Sequence, residues 1–476
     1  YGFPVPPGFI ITTEIFRCRD VIDSYSPANK NLKDQLAREI STLEKLTGKA
    51  FGNPKDPLLL SVRSGAPISQ PGMMDTFLNV GINEDVIHGI ITLTGQEWFA
   101  WDCYRRFLQS YGMAYGLKRN DFDDIIADSK HELGIPFKKD FTGDQMKGIA
   151  LAYKDFVRDM GITVEESPLE QLHITIGKVF DSWDTTKAKA YRNIMGISDD
   201  WGTAVTVQSM VFGNLGQDAG SGVVFTHSPR GPGDMVNLWG DFTIGNQGED
   251  VVSGLVKTLP ISRKQADIEK RKDAITLETH FPEIYNSMRE FAKDLIYNRK
   301  WSPQEMEFTF ESRRKKRLYF LQARDMAIRE RQTVLSFVTT PDSRARLLGH
   351  GIGVSGGAMT GRAVFNLDEL HRWREEEPET SLILVRGDTV PDDIMEIYEA
   401  DGLLTARGGS TSHAAIVAHR LEKTCVVGCA NLVCMEKDSS CSLDSVRIKS
   451  GNWVSIDGRE GSIYLGAMDI EEVARR

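Results

Sequence analysis

The residues with the most chemical content lie in one run, Thr405-Ala406-Arg407-Gly408-Gly409-Ser410-Thr411-Ser412-His413-Ala414-Ala415. An apolar strand ends there, two glycines turn the chain, Ser and Thr supply capping side chains, and a helix begins at about His413. An imidazole in the first turn of a helix lies among unpaired backbone N–H groups at the positive end of the dipole. Anionic groups are stabilised in that setting. Imidazole is largely unprotonated near neutral pH, its ordinary pKa being about 6.5, and is then a competent nucleophile. The run therefore fits two readings, a histidine that carries a phosphoryl group or one that only caps its helix. His419, further along, falls on a different face and reads as structural.

A second constellation is acidic. In Glu305-Met306-Glu307-Phe308-Thr309-Phe310-Glu311, strand alternation puts Glu305, Glu307 and Glu311 on one face and Met306, Phe308 and Phe310 on the other. A basic turn, Arg313 to Arg317, leads into Leu318-Tyr319-Phe320-Leu321-Gln322-Ala323-Arg324, and the two runs read as a hairpin. Glu305 and Glu307 beside Gln322 and Arg324 could hold Mg²⁺ and contact nucleotide phosphates. A solvated acidic strand face explains the carboxylates equally, and a solvated hairpin tip explains the basic turn. Ser61-Val62-Arg63-Ser64-Gly65-Ala66 sets one arginine among small residues, as a phosphate contact requires. A strand-end ion pair is the other reading.

These groups need scaffolding, and 476 residues supply it, at roughly 150 residues per domain about three domains. Hydrophobic residues at 41% and charged residues at 26% exclude a mainly disordered chain. Asp plus Glu (67) exceeds Lys plus Arg (57), a net charge of −10, which disfavours nucleic acid and anionic lipid as partners. No apolar run approaches the ~20 residues that span a bilayer. The chain opens Tyr-Gly-Phe-Pro-Val-Pro-Pro, without Met or a charged-then-apolar leader, which reads as an interior start. Cys425, Cys429, Cys434 and Cys441 crowd together, but without C-x2-C knuckles or a following His at finger spacing. Reduced thiols in a cytoplasmic compartment are the expectation, a chloroplast or other organelle staying open.

Residues 1 to about 80 mix short strands (8–12, 58–62) with a helix over 32–46. From 84 to about 196 the pattern is helical, with Trp98, Trp101, Tyr104, Phe107 and Leu108 forming a core stripe. Strands follow at 203–212, 222–226 and 251–255, then a helix at 278–297 and the acidic hairpin. Residues 327–348 read as a charged helical linker. A compact α/β unit then holds short strands at 361–365, 382–385, 402–405, 426–427, 453–456 and 462–464.

Taken together, these segments resemble pyruvate, phosphate dikinases along nearly the whole chain. The marks are Pro4-Val5-Pro6-Pro7-Gly8-Phe9, the Arg63 run followed by Pro71-Gly72-Met73-Met74-Asp75-Thr76, and Cys103-Tyr104-Arg105-Arg106-Phe107. Trp201-Gly202-Thr203-Ala204-Val205, Gln247-Gly248-Glu249-Asp250-Val251-Val252 and the histidine loop complete them. The resemblance implies an α+β and α/β multidomain chain. An ATP-grasp nucleotide-binding domain would span 1–330 with a helical insertion over about 84–196. A linker would follow at 331–350, then a swivelling α/β phosphohistidine domain at 351–470. It implies that ATP pyrophosphorylates His413 with release of AMP, that inorganic phosphate removes the terminal phosphoryl as pyrophosphate, and that phospho-His413 serves pyruvate to give phosphoenolpyruvate. By motif position, Arg63, Thr226, Glu249, Glu305, Glu307, Gln322 and Arg324 would contact ATP, and Glu305 and Glu307 would hold Mg²⁺. Thr411 matches a threonine that plant enzymes phosphorylate for regulation. The family's habit implies a homodimer.

The sequence departs from the family in three places. The family's Gly-Gly-Lys-Gly loop would precede Tyr1. His227 stands where Arg is usual, removing a permanent charge, and Glu305 stands where Asp is usual. Only 63 residues follow His413, against about 250 for a (β/α)8 barrel. The pyruvate-binding barrel is therefore expected on a missing or separate domain. A different phosphoryl acceptor, or a nucleotide-binding relative that only regulates, are the remaining readings.

Overall fold

The structure is a computed structural model. It describes residues 2–66, 68, 70, 72–229, 235–252, 256, 258–271, 275–326, 333–338, 346–389, 393–435 and 438–474. It is a mixed α/β, multidomain chain with two compact units. One is formed by Pro6–Met210, the other by Tyr1–Val5 with Val211–Arg476.

The Pro6–Met210 unit contains strands β1 (Gly8–Ile11), β2 (Leu60–Gly65), β3 (Thr76–Val80) and β4 (Ala204–Ser209). They form an antiparallel sheet in the order β1-β4-β2-β3. Its longer helices are α1 (Ser26–Thr47), α2 (Glu84–Thr94), α3 (Glu97–Ala114), α4 (Arg119–Leu133), α5 (Gly143–Asp159), α6 (Pro168–Ser182) and α7 (Thr186–Met195). The aromatic stripe is core as expected: Trp101, Tyr104, Phe107 and Leu108 are buried on α3, with Trp98 half-buried at its start. Among them α3 also buries Asp102 with Arg105 and Arg106. The carboxylate takes Arg105 and Arg106 at 2.8 Å each and Lys138 at 3.5 Å. Burial pushes the Asp102 carboxyl up, but the charges of Arg106, Lys138 and Arg105 more than offset this and hold it well below the usual carboxylate range.

The other unit begins with a sheet of β5 (Gly220–Phe225), β6 (Trp239–Ile244), β7 (Leu259–Pro260), β8 (Gln304–Phe310) and β9 (Leu318–Asp325), in the order β9-β8-β5-β6-β7. Helix α8 (Pro282–Lys293) presents Ile284, Met288 and Ala292, one turn apart, to a core that includes Phe242, Met306, Phe308 and Phe310. Full burial of such side chains contributes about 1.5–3 kcal/mol each, which turns the apolar face of β8 to this core and Glu305 and Glu307 to the other face of the sheet. Residues 251 and 252, read from sequence as part of a strand, close the short helix Gly248–Val252 instead, and 253–255 lie outside the described residues.

The linker differs from expectation. Positions 327–332 and 339–345 lie outside the described residues. The part that is described is not helical: β10 (Thr333–Phe337) is a strand, and β11 (Leu347–His350) another. The last sheet is built from β11, β12 (Ile352–Ser355), β13 (Ala358–Val364), β14 (Leu382–Arg386), β15 (Gly402–Thr405) and β16 (Thr424–Val427), with β20 and β21 entering from further along the chain. Between these come β17 (Leu432–Met435), β18 (Ser440–Leu443) and β19 (Val446–Lys449), a small separate sheet; β20 (Trp453–Asp457), β21 (Ser462–Leu465) and β22 (Ile470–Ala474) follow. Among the described residues the large sheet runs β11-β21-β20-β13-β14-β15-β16-β12. Its centre, β13 to β16, is parallel. Helices α9 (Leu367–Glu376) and α10 (His413–Arg420) lie on two of the crossovers. The fully buried, apolar Leu382-Ile383-Leu384-Val385 run is the signature of a parallel strand covered on both faces. β10 pairs antiparallel with β22, from Thr333 opposite Ala474 to Phe337 opposite Ile470.

Candidate active site

His413 is the first residue of α10 and follows the carboxyl end of parallel strand β15, where open α/β sheets place their ligands. Ser412 is the N-cap, its Oγ accepting from Ala415 N at 3.4 Å. The loop before it is tight. Gly408 has φ +102°, a left-handed conformation that a side chain strains, and a Cβ on Gly428 would come within 2.6 Å of its carbonyl oxygen. The imidazole is enclosed, with 3% of the residue exposed, and Thr411 is fully buried with no hydrogen-bond partner for its hydroxyl among the described residues.

The loop rests on the first sheet of its own unit. Ser410 Oγ donates to Asp241 Oδ2 at 2.6 Å. Asp241, on β6, is fully buried and also accepts from Thr258 Oγ1 at 3.0 Å and Arg271 Nη2 at 2.9 Å. Arg271 in turn meets Glu269 at 2.8 Å. Burial would lower the Arg271 pKa, but Asp241 and Glu269 outweigh it and keep it raised. A Cβ on Gly409 would lie 2.7 Å from both Asp241 Oδ2 and Thr258 Oγ1, so only glycine fits there.

The acidic hairpin is present as read. Glu305 stands opposite Arg324 and Glu307 opposite Gln322, with a register shift just after Glu307. Glu305 and Arg324 form an ion pair, both largely enclosed. Thr226, just past β5, is buried; its Oγ1 accepts from Gln304 N and bonds His227 Nδ1, each at 2.9 Å. A cleft lies along this end of the sheet, bordered by Phe225, Trp239, Glu305, Ser410, His419 and Arg420. His419, read as structural, thus faces the same cleft as Glu305. Arg63 belongs to the other unit, on β2, where its guanidinium donates to Gln208 Oε1 at 2.8 Å. The backbone of Glu249 lies in the helix Gly248–Val252; its side chain is outside the described residues.

A family model described as the pyruvate phosphate dikinase AMP/ATP-binding domain matches residues 24–289, more than half of the chain. The chain belongs to the pyruvate, phosphate dikinase family. A second model, the mobile domain of PEP-utilising enzymes, matches residues 378–461 and so contains His413. The chain is 35% identical to the pyruvate, phosphate dikinase of Clostridium symbiosum over 99% of its own length and 55% of that protein's. It is 36% identical to the enzyme of Rhizobium meliloti (98% and 54%), and 35% identical to the chloroplastic enzyme of Flaveria pringlei (98% and 50%). The chain therefore spans about half the length of the curated relatives it matches. Asp241, Thr258, Arg271 and Ser410, which join the family's mobile-domain loop to the sheet carrying Glu305, were not singled out by sequence. Among the described residues, no helix is long and apolar enough to cross a membrane.

Proposed function

We propose that this chain carries out the nucleotide half-reaction of a pyruvate, phosphate dikinase on an ATP-grasp domain, with His413 as the phosphoryl carrier of a swivelling module. Imidazole nitrogen attacks the β-phosphorus of ATP, the bond to the α-phosphate oxygen breaks, and AMP leaves. Inorganic phosphate then attacks the terminal phosphorus of pyrophospho-His413, releasing pyrophosphate and leaving phospho-His413. That phosphoryl is destined for pyruvate, on a barrel supplied beyond these residues.

The observation that carries the reading is the Ser410–Asp241 contact. It holds the histidine loop against the sheet bearing Glu305, Glu307, Gln322 and Arg324. Positioning and charge neutralisation supply most of phosphoryl-transfer catalysis. Arg324 is a cation for the phosphate oxygens beside this sheet. The α10 N-terminus favours the negative group on His413. The Ser410–Asp241 contact is the latch that docks the loop, with His413 only 3% exposed, against this sheet.

Mg²⁺ fits the donor set. Glu305 and Glu307 offer carboxylate oxygens on one strand face, and Mg²⁺ typically takes one or two carboxylates together with substrate phosphates. Among the described residues no cluster of three His, Cys, Asp or Glu forms an all-protein cage, which favours uptake with the triphosphate over binding of the bare ion. Bound there, it would neutralise phosphate charge.

Incubating the protein with ATP, with and without inorganic phosphate, tests the reading. AMP formed in step with pyrophosphate, the latter only when phosphate is added, supports it; ADP as the nucleotide product contradicts it.

A further inference from the structure

The cysteines that sequence reading set aside as bland thiols have an arrangement of their own. None of the six is in a disulfide. Cys434 on β17 and Cys441 on β18 are direct register partners in the small antiparallel sheet. Their neighbours settle which face they share. Leu432 and Leu443, in step with them, are buried at 4% and 0%, whereas Val433 is 58% exposed. Cys441 is itself fully buried, and Cys434 packs half-buried against the same core.

Residues directly opposite on antiparallel strands hold their Cβ atoms about 4.5–5.5 Å apart, and a disulfide needs about 3.5–4.5 Å. A small inward shift closes that gap. Among the described residues β17 is an edge strand paired with β18 alone, so it can make the shift without breaking a second ladder.

The geometry points to a reversible oxidation site, a Cys434–Cys441 cross-strand disulfide formed with hydrogen peroxide as oxidant. The half-buried Cys434 meets peroxide first: its thiol is oxidised to sulfenic acid while the O–O bond breaks and one water leaves. The Cys441 sulfur then attacks the Cys434 sulfur, the S–O bond breaks, and a second water carries off the hydroxyl with the Cys441 proton. Two thiols have given two electrons to one peroxide. Cys441 and Cys429 are buried where Cys434 is only half-buried, and burial pushes their thiols up to about 12 and about 11. Cys429, 1% exposed, is the rival partner, because it is close enough to influence Cys441. The site lies near the root of the histidine loop, since Cys429 N donates to Thr405 O and Gly428 N to Arg407 O.

Trypsin cuts after Lys437, between the two cysteines. The full chain is treated with hydrogen peroxide, alkylated in denaturant without reductant, and digested. Peptides 424–437 and 438–447 should then stay joined, lighter by two hydrogens than their sum, and part on adding dithiothreitol. Fragmentation should place the bond on Cys434. The link should survive Cys429→Ser and vanish in Cys434→Ser, and Cys441→Ser should leave a Cys434 sulfenic acid that dimedone captures. The proposal is overturned if both cysteines are alkylated after oxidation. A link that persists in Cys434→Ser overturns it too, as does Cys434 proceeding to sulfinic acid while Cys441 stays a thiol.

Discussion

Ser410→Ala removes one hydroxyl and tests how the histidine module is held. In the structure that hydroxyl donates to a buried carboxylate at 2.6 Å. Asp241 keeps Thr258 and Arg271 when it is lost, so the carboxylate is not stranded. A hydrogen bond to a charged group contributes about 1.5–3 kcal/mol, and each ~1.4 kcal/mol is tenfold in an equilibrium. The docking equilibrium constant should therefore fall roughly 10- to 150-fold, and the single-turnover rate of His413 labelling from β-labelled ATP should fall in proportion once the undocked state dominates. Nucleotide affinity should stay within about twofold. Gly409→Ala should act in the same direction, because its Cβ would stand 2.7 Å from Asp241 and Thr258. A labelling rate unchanged in both variants, or a loss confined to ATP affinity, would refute the latch.

Other outcomes follow from the same geometry. His413→Asn should abolish stable labelling while leaving the melting temperature and nucleotide binding near those of the parent, checked by intact-protein mass and calorimetry. Glu307→Gln should raise the Mg²⁺ concentration for half-maximal labelling by about tenfold or more, losing a charged contact worth roughly 1.5–3 kcal/mol; chelation by EDTA should stop labelling in the parent. Asp102 has a depressed folded-state pKa. Its stabilisation is thus present above its unfolded value near 3.9 and lost as pH falls through the lower folded value. Asp102→Asn should cost about 3–5 kcal/mol at neutral pH, by leaving Arg105 and Arg106 without their buried counterion. It should also flatten the acid limb of stability below about pH 4, measured by urea unfolding across pH.

The acidic hairpin was legible because strand alternation is local: Met306, Phe308 and Phe310 had to point one way, which left Glu305 and Glu307 the other. The histidine loop was legible for the same reason, a strand, a glycine turn and a capped helix within a dozen residues. What sequence could not supply was long-range. Thr333–Phe337 is charged-flanked and without an apolar stripe, and it becomes a strand only by pairing with Ile470–Ala474. Asp241 reads as an ordinary polar residue in a strand; its partners Arg271 and Ser410 lie 30 and 169 positions away. Cys434 and Cys441 looked unrelated by spacing because register, not separation, brings them opposite. The enclosure of His413 likewise depends on packing that no local pattern encodes.

The central claim, that His413 receives the β- and γ-phosphoryl groups of ATP as a unit, is tested most directly by following each label separately. Protein incubated with β-labelled or γ-labelled ATP should carry both labels on His413. On adding inorganic phosphate, the γ label should depart as pyrophosphate and the β label should remain on the histidine. Retention of γ label after phosphate, or a protein that takes up γ label but never β, would contradict the account.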